Sequence, residues 1–280
     1  MISVNIIKLM NNNHGGIENS ELRPKSTGKI SGLVMTAINL RDFGGFPTRG
    51  GGWMKTGVLY RSGNLEKLSA SNHVAISELK LQTIIDFRSL EEQEKSPGTF
   101  PGSRKVSLPC NIDQSTRDRL RPLLLRRSAD DEIVDAIDSV YQEMVDLMVH
   151  PIGEMIRIIL DPGNCPVLIH CRAGKDRTGF AAAVVQWAMD VDHDIIMNEY
   201  LKSNDFISPK ISKAMKRLRL FTLGLFPKGN LQAAFEVKAR YLDTAFSVIE
   251  TKYGGFAGYL AAGGIHRADL ELLKTRLLGL

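Results

Sequence analysis

The chain has 280 residues, 43% of them hydrophobic and 24% charged, enough apolar material for one large core or two small ones. A net charge of +5 mildly favours anionic partners but is too small to specify nucleic acid, and no apolar run is long enough to span a bilayer. Three cysteines, Cys110, Cys165 and Cys171, do not make a disulfide framework; they fit a reducing compartment where a thiol stays free to react.

The start, "MISVNIIKLMNNNHGG", has a short apolar stretch without a basic flank or a small-residue cleavage site. It reads as a flexible end rather than a signal peptide, and the Asn-, Gly- and Ser-rich composition extends that reading over residues 1–30. Residues 31–280 read as one domain. "TGVLYRS" (Thr56 to Ser62), "LQTIIDFRS" (Leu81 to Ser89), "RKVSLP" (Arg104 to Pro109) and "PVLIH" (Pro166 to His170) read as strands. Their apolar character predicts a mainly parallel sheet covered on both faces. "SNHVAISELK" (Ser71 to Lys80) reads as a helix between two of these strands. Asp131 to Val149 is helical by its apolar spacing and its acidic first turn, and "PIGEMIRIIL" (Pro151 to Leu160) reads as a further helix. Helical patterns then dominate to the end, notably from Leu231 to Gly255. Strands alternating with helices, followed by a helical tail, make this an α/β domain.

The third and fourth strands are separated by a helical insertion, about Asn111 to Leu160, which is expected to serve as a lid. Within it Ser115 to Arg127, "STRDRLRPLLLRR", carries five arginines and reads either as an exposed loop running into a helix or as a basic cover over an anion site. "SPKISKAMKRLRL" (Ser208 to Leu220) reads as a solvated basic helix face. Arg41 and Asp42 in "NLRDFGG" read as a turn with a carboxylate–guanidinium pair. The glycines of "RGGGW" (Arg49 to Trp53) read as a hairpin tip, since they lack the Lys-Ser of a nucleotide loop.

The chemistry concentrates in "HCRAGKDRTG", His170 to Gly179. A turn from a buried strand into a helix leaves backbone N–H groups unpaired and puts the positive end of the helix dipole at the same place. Gly174 lets the backbone curl close to a ligand. Cys171 sits inside this field, where a thiol's pKa falls. Arg177 brings a planar fork suited to two phosphate oxygens, and Thr178 brings a hydroxyl that can face the sulfur. His170 reads as an orienter of the loop rather than a base, and Cys110 and Cys165 as small hydrophobes. A Cys165–Cys171 disulfide would need the fold to bring the two together, which spacing does not show.

Cys171, five residues, then Arg177 and Thr178 resembles the C-x5-R-[S/T] loop of the protein tyrosine phosphatase superfamily. The fuller loop is similar to that of bacterial tyrosine and lipid phosphatases with dual or triple specificity. "INLRDFGGFPT", "GVLYRSGNL", "IIDFRSLEE" and the closing "YGGFAGYLAAGGIHRADLELLKTRLL" resemble the same family in its order, so the likeness runs from Ile38 to Leu278. The resemblance implies the cysteine-phosphatase fold, with Cys171 as nucleophile and Arg177 as phosphate and transition-state clamp. Arg172, Ala173, Gly174, Lys175, Asp176, Arg177 and Thr178 would form the phosphate cradle, and Thr178 would assist departure of the thiolate. In the family Lys175's counterpart is linked to phosphoinositide activity. The proton donor stays open between Asp176, which resembles the loop aspartate of myotubularin-type lipid phosphatases, and Asp86 at a strand end, which could instead pair with Arg88 or Arg61. No Trp-Pro-Asp loop is present.

The expected activity is hydrolysis of phosphomonoesters through a thiophosphate intermediate, with phosphorylated protein or phosphoinositide as substrate and inorganic phosphate as product. No metal or organic cofactor is called for, and activity is expected to survive a chelator. The alternatives are a catalytically silent phosphate-binding module, which predicts loss of Cys171 or Arg177, and a sulfurtransferase, against which Arg177 and Thr178 argue. Both a cytoplasmic enzyme and a secreted effector fit the resemblance.

Overall fold

The computed structural model describes residues 38–66, 68–98, 100, 102–125, 128–206 and 234–279. The expected flexible end (1–30), the basic face from Ser208 to Leu220, and Arg126 and Arg127 lie outside these residues.

In chain order the strands are β1 (Arg41–Asp42), β2 (Trp53–Met54), β3 (Leu59–Ser62), β4 (Thr83–Asp86), β5 (Arg104–Ser107), β6 (Val167–His170) and β7 (Leu278–Gly279). Five of them form one sheet in the order β1-β3-β6-β4-β5. β6 is parallel to both β3 and β4, β4 is parallel to β5, and only β1 runs antiparallel. Every residue of β3, β4 and β6 is buried, as their apolar runs predict. β5 corrects that expectation: it is an edge strand and mostly exposed, and Arg104 and Lys105 suit that position. A second small sheet pairs β2 with β7 and ties the "RGGGW" tip to the end of the chain.

The helices are α1 (Ala70–Ser77), α2 (Leu90–Lys95), α3 (Asp113–Leu125), α4 (Asp130–Leu160), α5 (Arg177–Ala188), α6 (His193–Leu201), α7 (Ala239–Tyr253), α8 (Phe256–Ala262) and α9 (Arg267–Leu277). One sheet face, through Tyr60, Ile84 and Leu168, packs on Ala75 and Ile76 of α1. The other, through Leu59, Ile85 and Ile169, packs on the larger cluster that contains α4 and α5.

Two helix expectations are corrected. The two helices read on either side of His150 are one, α4, which carries Pro151 inside it. Its buried residues Ile133, Ile137, Met144, Met148, Ile152, Met155 and Ile159 keep one face in the core along its whole length. Burying a Leu-, Ile- or Met-sized side chain is worth ~1.5–3 kcal/mol, so this face outweighs the ~3 kcal/mol cost of an internal proline. A helix so placed is part of the core and not a cover. The basic segment from Ser115 is helical as well: α3 lies against α4, with Ser115 Oγ donating to Glu143 Oε2 at 2.6 Å.

The register fixes the site. Ser62 of β3 and Asp86 of β4 both stand level with His170 of β6. The residues after His170 therefore leave the centre of the sheet at the carboxyl ends of three neighbouring parallel strands, where α/β folds bind ligands.

Candidate active site

The loop 171–176 joins β6 to α5 and is held from below by residues far away in sequence. Asn39 Nδ2 donates to the carbonyls of Ala173 (3.3 Å) and Gly174 (3.0 Å), and Arg61 Nη2 donates to the Gly174 carbonyl at 2.8 Å. With its carbonyls tied outward, the loop's amides are left for an anion. Gly174 has φ of +71°, and a Cβ there would lie 2.5 Å from the Ser62 carbonyl carbon, so both conformation and space require glycine.

Asn39 and Arg61 are themselves anchored. Arg41 donates to the Asn39 side chain, Arg41 Nε lies 2.6 Å from Glu199 Oε1, and Arg61 Nη1 reaches the same oxygen at 3.5 Å. This corrects the expected Arg41–Asp42 pair. Arg41 is buried against Glu199 of α6, while Asp42 accepts the backbone N–H groups of Gly44 (2.8 Å) and Gly57 (2.5 Å).

Cys171 is buried at the base of the loop, and all three cysteines are free. Thr178, in the first turn of α5, is fully buried, and its Oγ1 has no hydrogen-bond partner among the described residues. Arg177 is buried and gripped from behind: Nη1 donates to Glu92 Oε2 (2.8 Å), Phe87 O (3.3 Å) and Cys110 O (3.4 Å), and Nη2 lies 3.4 Å from Asp113 Oδ1. Burial pulls the pKa of this guanidinium down, but Cys171, Glu92 and Asp113 more than offset it and push the pKa up.

Glu92 and Asp113 were not singled out by the sequence reading. Glu92 had a legible signal, because Ser89-x-x-Glu92 is a capping box and forms one at the start of α2. Asp113 had none, since it meets Arg177 across 64 positions. The two carboxyls differ. Burial pushes both up, but Arg177 draws Glu92 below its ordinary value, whereas Asp113 stays above its own because burial and the neighbouring Glu92 outweigh Arg177 and Ser89.

The two aspartates singled out earlier sit differently. Asp86 is fully buried in a two-armed pair with Arg88 (Oδ1–Nε 2.9 Å, Oδ2–Nη2 2.7 Å). Burial pushes its carboxyl up, but Arg88 and His170 bring it below the ordinary range. Asp176 Oδ1 accepts the Tyr141 hydroxyl at 2.7 Å and lies 3.5 Å from Lys175 Nζ. Lys175 also reaches the Ala234 carbonyl at 3.4 Å. Arg172 lines a cavity of about 350 Å³ beside the loop with Arg88, Glu92 and Arg117. The insertion's arginines are partly neutralised: Arg117 meets Glu91 (3.1 Å) and Arg119 meets Glu143 (2.8 Å).

His170 places Nδ1 3.4 Å from the Cys171 carbonyl oxygen and Nε2 3.7 Å from Asp86 Oδ2. Burial, helped by the charges of Arg88 and Lys105, pushes its pKa down to about 4, so the ring is neutral at pH 7. An unfolded histidine titrates near 6.5, so the unfolded chain binds the extra proton first. Stability from this residue is complete above about pH 6.5 and is lost as pH falls toward about 4, a total of roughly 3 kcal/mol. Denaturant midpoints between pH 7.5 and 4 are expected to show this loss. His170→Asn should remove most of this loss: Asp86 contributes only below about pH 4, and the raised carboxyls Asp42 and Asp113 act in the opposite sense, stabilising as pH falls.

The described residues hold no cluster able to bind a metal ion, and no helix among them is long and apolar enough to cross a membrane. The chain is similar to a Cupriavidus necator protein described as a tyrosine-protein phosphatase, with 33% identity over 87% of this chain and 85% of that one. It is also similar to the triple specificity protein phosphatase PtpB of Mycobacterium tuberculosis, with 28% identity over 87% of this chain and 97% of that one. Among solved structures, the core catalytic domain of a Saccharomyces cerevisiae PP-IP phosphatase matches 64% of this chain and 96% of its own at 18% identity, with a TM-score of 0.32. Pseudomonas aeruginosa TpbA in complex with pTyr matches 55% and 74% at 21% identity, with a TM-score of 0.29. The family model described as the tyrosine phosphatase family matches residues 33–279, and the chain belongs to that family.

Proposed function

We propose that this enzyme hydrolyses phosphomonoesters, phosphotyrosine in protein first among them, through a phosphocysteine intermediate on Cys171. The observation that carries this reading is the loop itself: a buried cysteine under outward-tied carbonyls at a helix start, with Arg177 fixed from behind by Glu92. The Cys171 sulfur attacks phosphorus, the P–O bond to the leaving group breaks, and the leaving oxygen takes a proton. Water then attacks phosphorus, the S–P bond breaks, and phosphate departs. Arg177 and the loop amides carry the charge of the phosphoryl oxygens in both steps. The Thr178 hydroxyl, buried and without a partner among the described residues, would turn to the departing thiolate.

The proton comes from Asp113. Of the three aspartates, Asp86 is locked to Arg88 as an anion, and one oxygen of Asp176 is occupied by Tyr141 and Lys175. Asp113 stands next to Arg177 with a carboxyl held above its usual pKa. Asp113→Asn is expected to lower kcat on a phosphotyrosine peptide about 10²-fold or more, and to do far less to an aryl phosphate whose leaving group needs no proton. If Asp176→Asn gave that pattern and Asp113→Asn did not, the role would pass to Asp176.

The insertion arginines Arg117 and Arg119 are held in exposed ion pairs with Glu91 and Glu143, which weakens without removing their pull on a polyanionic phosphoinositide and leans the reading toward a phosphopeptide. Phosphate release from both substrates side by side, with a chelator present, tests this. Faster turnover of the phosphoinositide would reverse the order.

A further inference from the structure

Asp176 stands at the N-cap position of α5, where an aspartate ordinarily accepts N–H groups of the first turn. It makes no such bond. Those amides, of Thr178 and Gly179, stand at the edge of the phosphate cradle, so an aspartate that capped them would bring its own anion up against the place where the substrate's has to go. What Asp176 does instead is visible. Its Oδ1 accepts the hydroxyl of Tyr141 from α4 at 2.7 Å, and that hydroxyl lies 2.6 Å from the hydroxyl of Tyr200 on α6. Both tyrosines are buried. Burial first, then the neighbouring Asp176 charge, push both phenols well above their ordinary pKa, so both keep their protons. Lys175 Nζ, 3.5 Å from the same Oδ1, adds its charge on that side.

We propose that Tyr141, backed by Tyr200, is a positioning residue that holds the Asp176 carboxylate off the helix start and so keeps the loop open to phosphate. Two helices outside the loop thereby set its affinity. The device follows from an awkward feature of the loop: it carries a carboxylate inside an anion site, and an unrestrained one would compete with every phosphate that arrives. This inference rests on the reading of the loop as a phosphate cradle.

The test is direct titration of inorganic phosphate into wild type, Tyr141→Phe, Asp176→Ala and the double variant, which needs no turnover. Tyr141→Phe removes one oxygen from a buried ring, and its fold is checked by its unfolding midpoint. Phosphate is expected to bind Tyr141→Phe about tenfold more weakly than wild type. In the Asp176→Ala background the same change is expected to make less than about twofold difference, because no carboxylate is left to swing in. Tyr200→Phe should weaken binding in the same direction and by less. Equal phosphate affinity of wild type and Tyr141→Phe would overturn the inference, as would an equal loss in both backgrounds, which is what general loosening of the loop would give. Failure of wild type itself to bind phosphate would overturn the cradle reading, and this inference with it.

Discussion

Cys171→Ser is expected to reduce phosphate release from a phosphotyrosine peptide to background, at least about 10³-fold below wild type, while the protein folds and still binds phosphate. The reason lies in what surrounds the residue. A serine hydroxyl is a poor nucleophile unless a base takes its proton, and none among the described residues is placed to do so. His170, the adjacent ring, is a weak base held down to about 4 by burial, and its nitrogens face the Cys171 carbonyl and Asp86. On the proposed function the position calls for a strongly nucleophilic atom under Arg177 and the loop amides, and sulfur is one where a hydroxyl oxygen is not. Binding should survive, because the amides, Arg177 and Gly174 do not depend on the sulfur. A variant that kept more than about one part in 10² of the activity would mean that Cys171 is not the nucleophile.

The sheet and the loop were legible because both are written locally. A buried parallel strand shows as an apolar run, and "VLIH" became a strand with every residue buried. The cradle is one continuous stretch, so its glycine, arginine and threonine could be read together from Cys171 onward. What was not legible is whatever the fold assembles from a distance. Arg41 was expected to pair with its neighbour Asp42, but it found Glu199, 158 residues away, because both are buried together under the loop. No local pattern marks Glu199. Asp113 was hidden in the same way, two residues ahead of the stretch read for its arginines. Pro151 misled in the other direction: it signals a helix boundary locally, yet the apolar face of α4 carries the helix through it. Asp176 was read as a cradle residue and a candidate proton donor. Its tie to Tyr141 could not be foreseen, since that contact depends on how α4 crosses the loop.

Arg177→Lys is expected to lower kcat about 10²–10³-fold and to raise KM, although the positive charge is kept. The guanidinium has two tasks. Its rear N–H groups are committed to Glu92 Oε2 and to the carbonyls of Phe87 and Cys110, with Asp113 alongside. Those bonds fix its orientation, so that its remaining N–H groups meet a planar pair of phosphoryl oxygens without reorganising at the transition state. An ammonium is a point charge on a flexible stem and cannot do both. If it stays on Glu92 it leaves the phosphate; if it turns to the phosphate it leaves Glu92 and Asp113 side by side and unpaired, half-buried. The variant should therefore also be less stable, most of all at neutral pH, where Glu92 and Asp113 must either repel each other as anions or hold a proton that the unfolded chain gives up. Adding Glu92→Gln removes one of them and should recover stability without recovering kcat. Steady-state kinetics and unfolding midpoints on the single and double variants separate the two tasks. A lysine variant within about tenfold of wild-type kcat would mean that charge alone is enough, and that the fixed fork contributes little to the transition state.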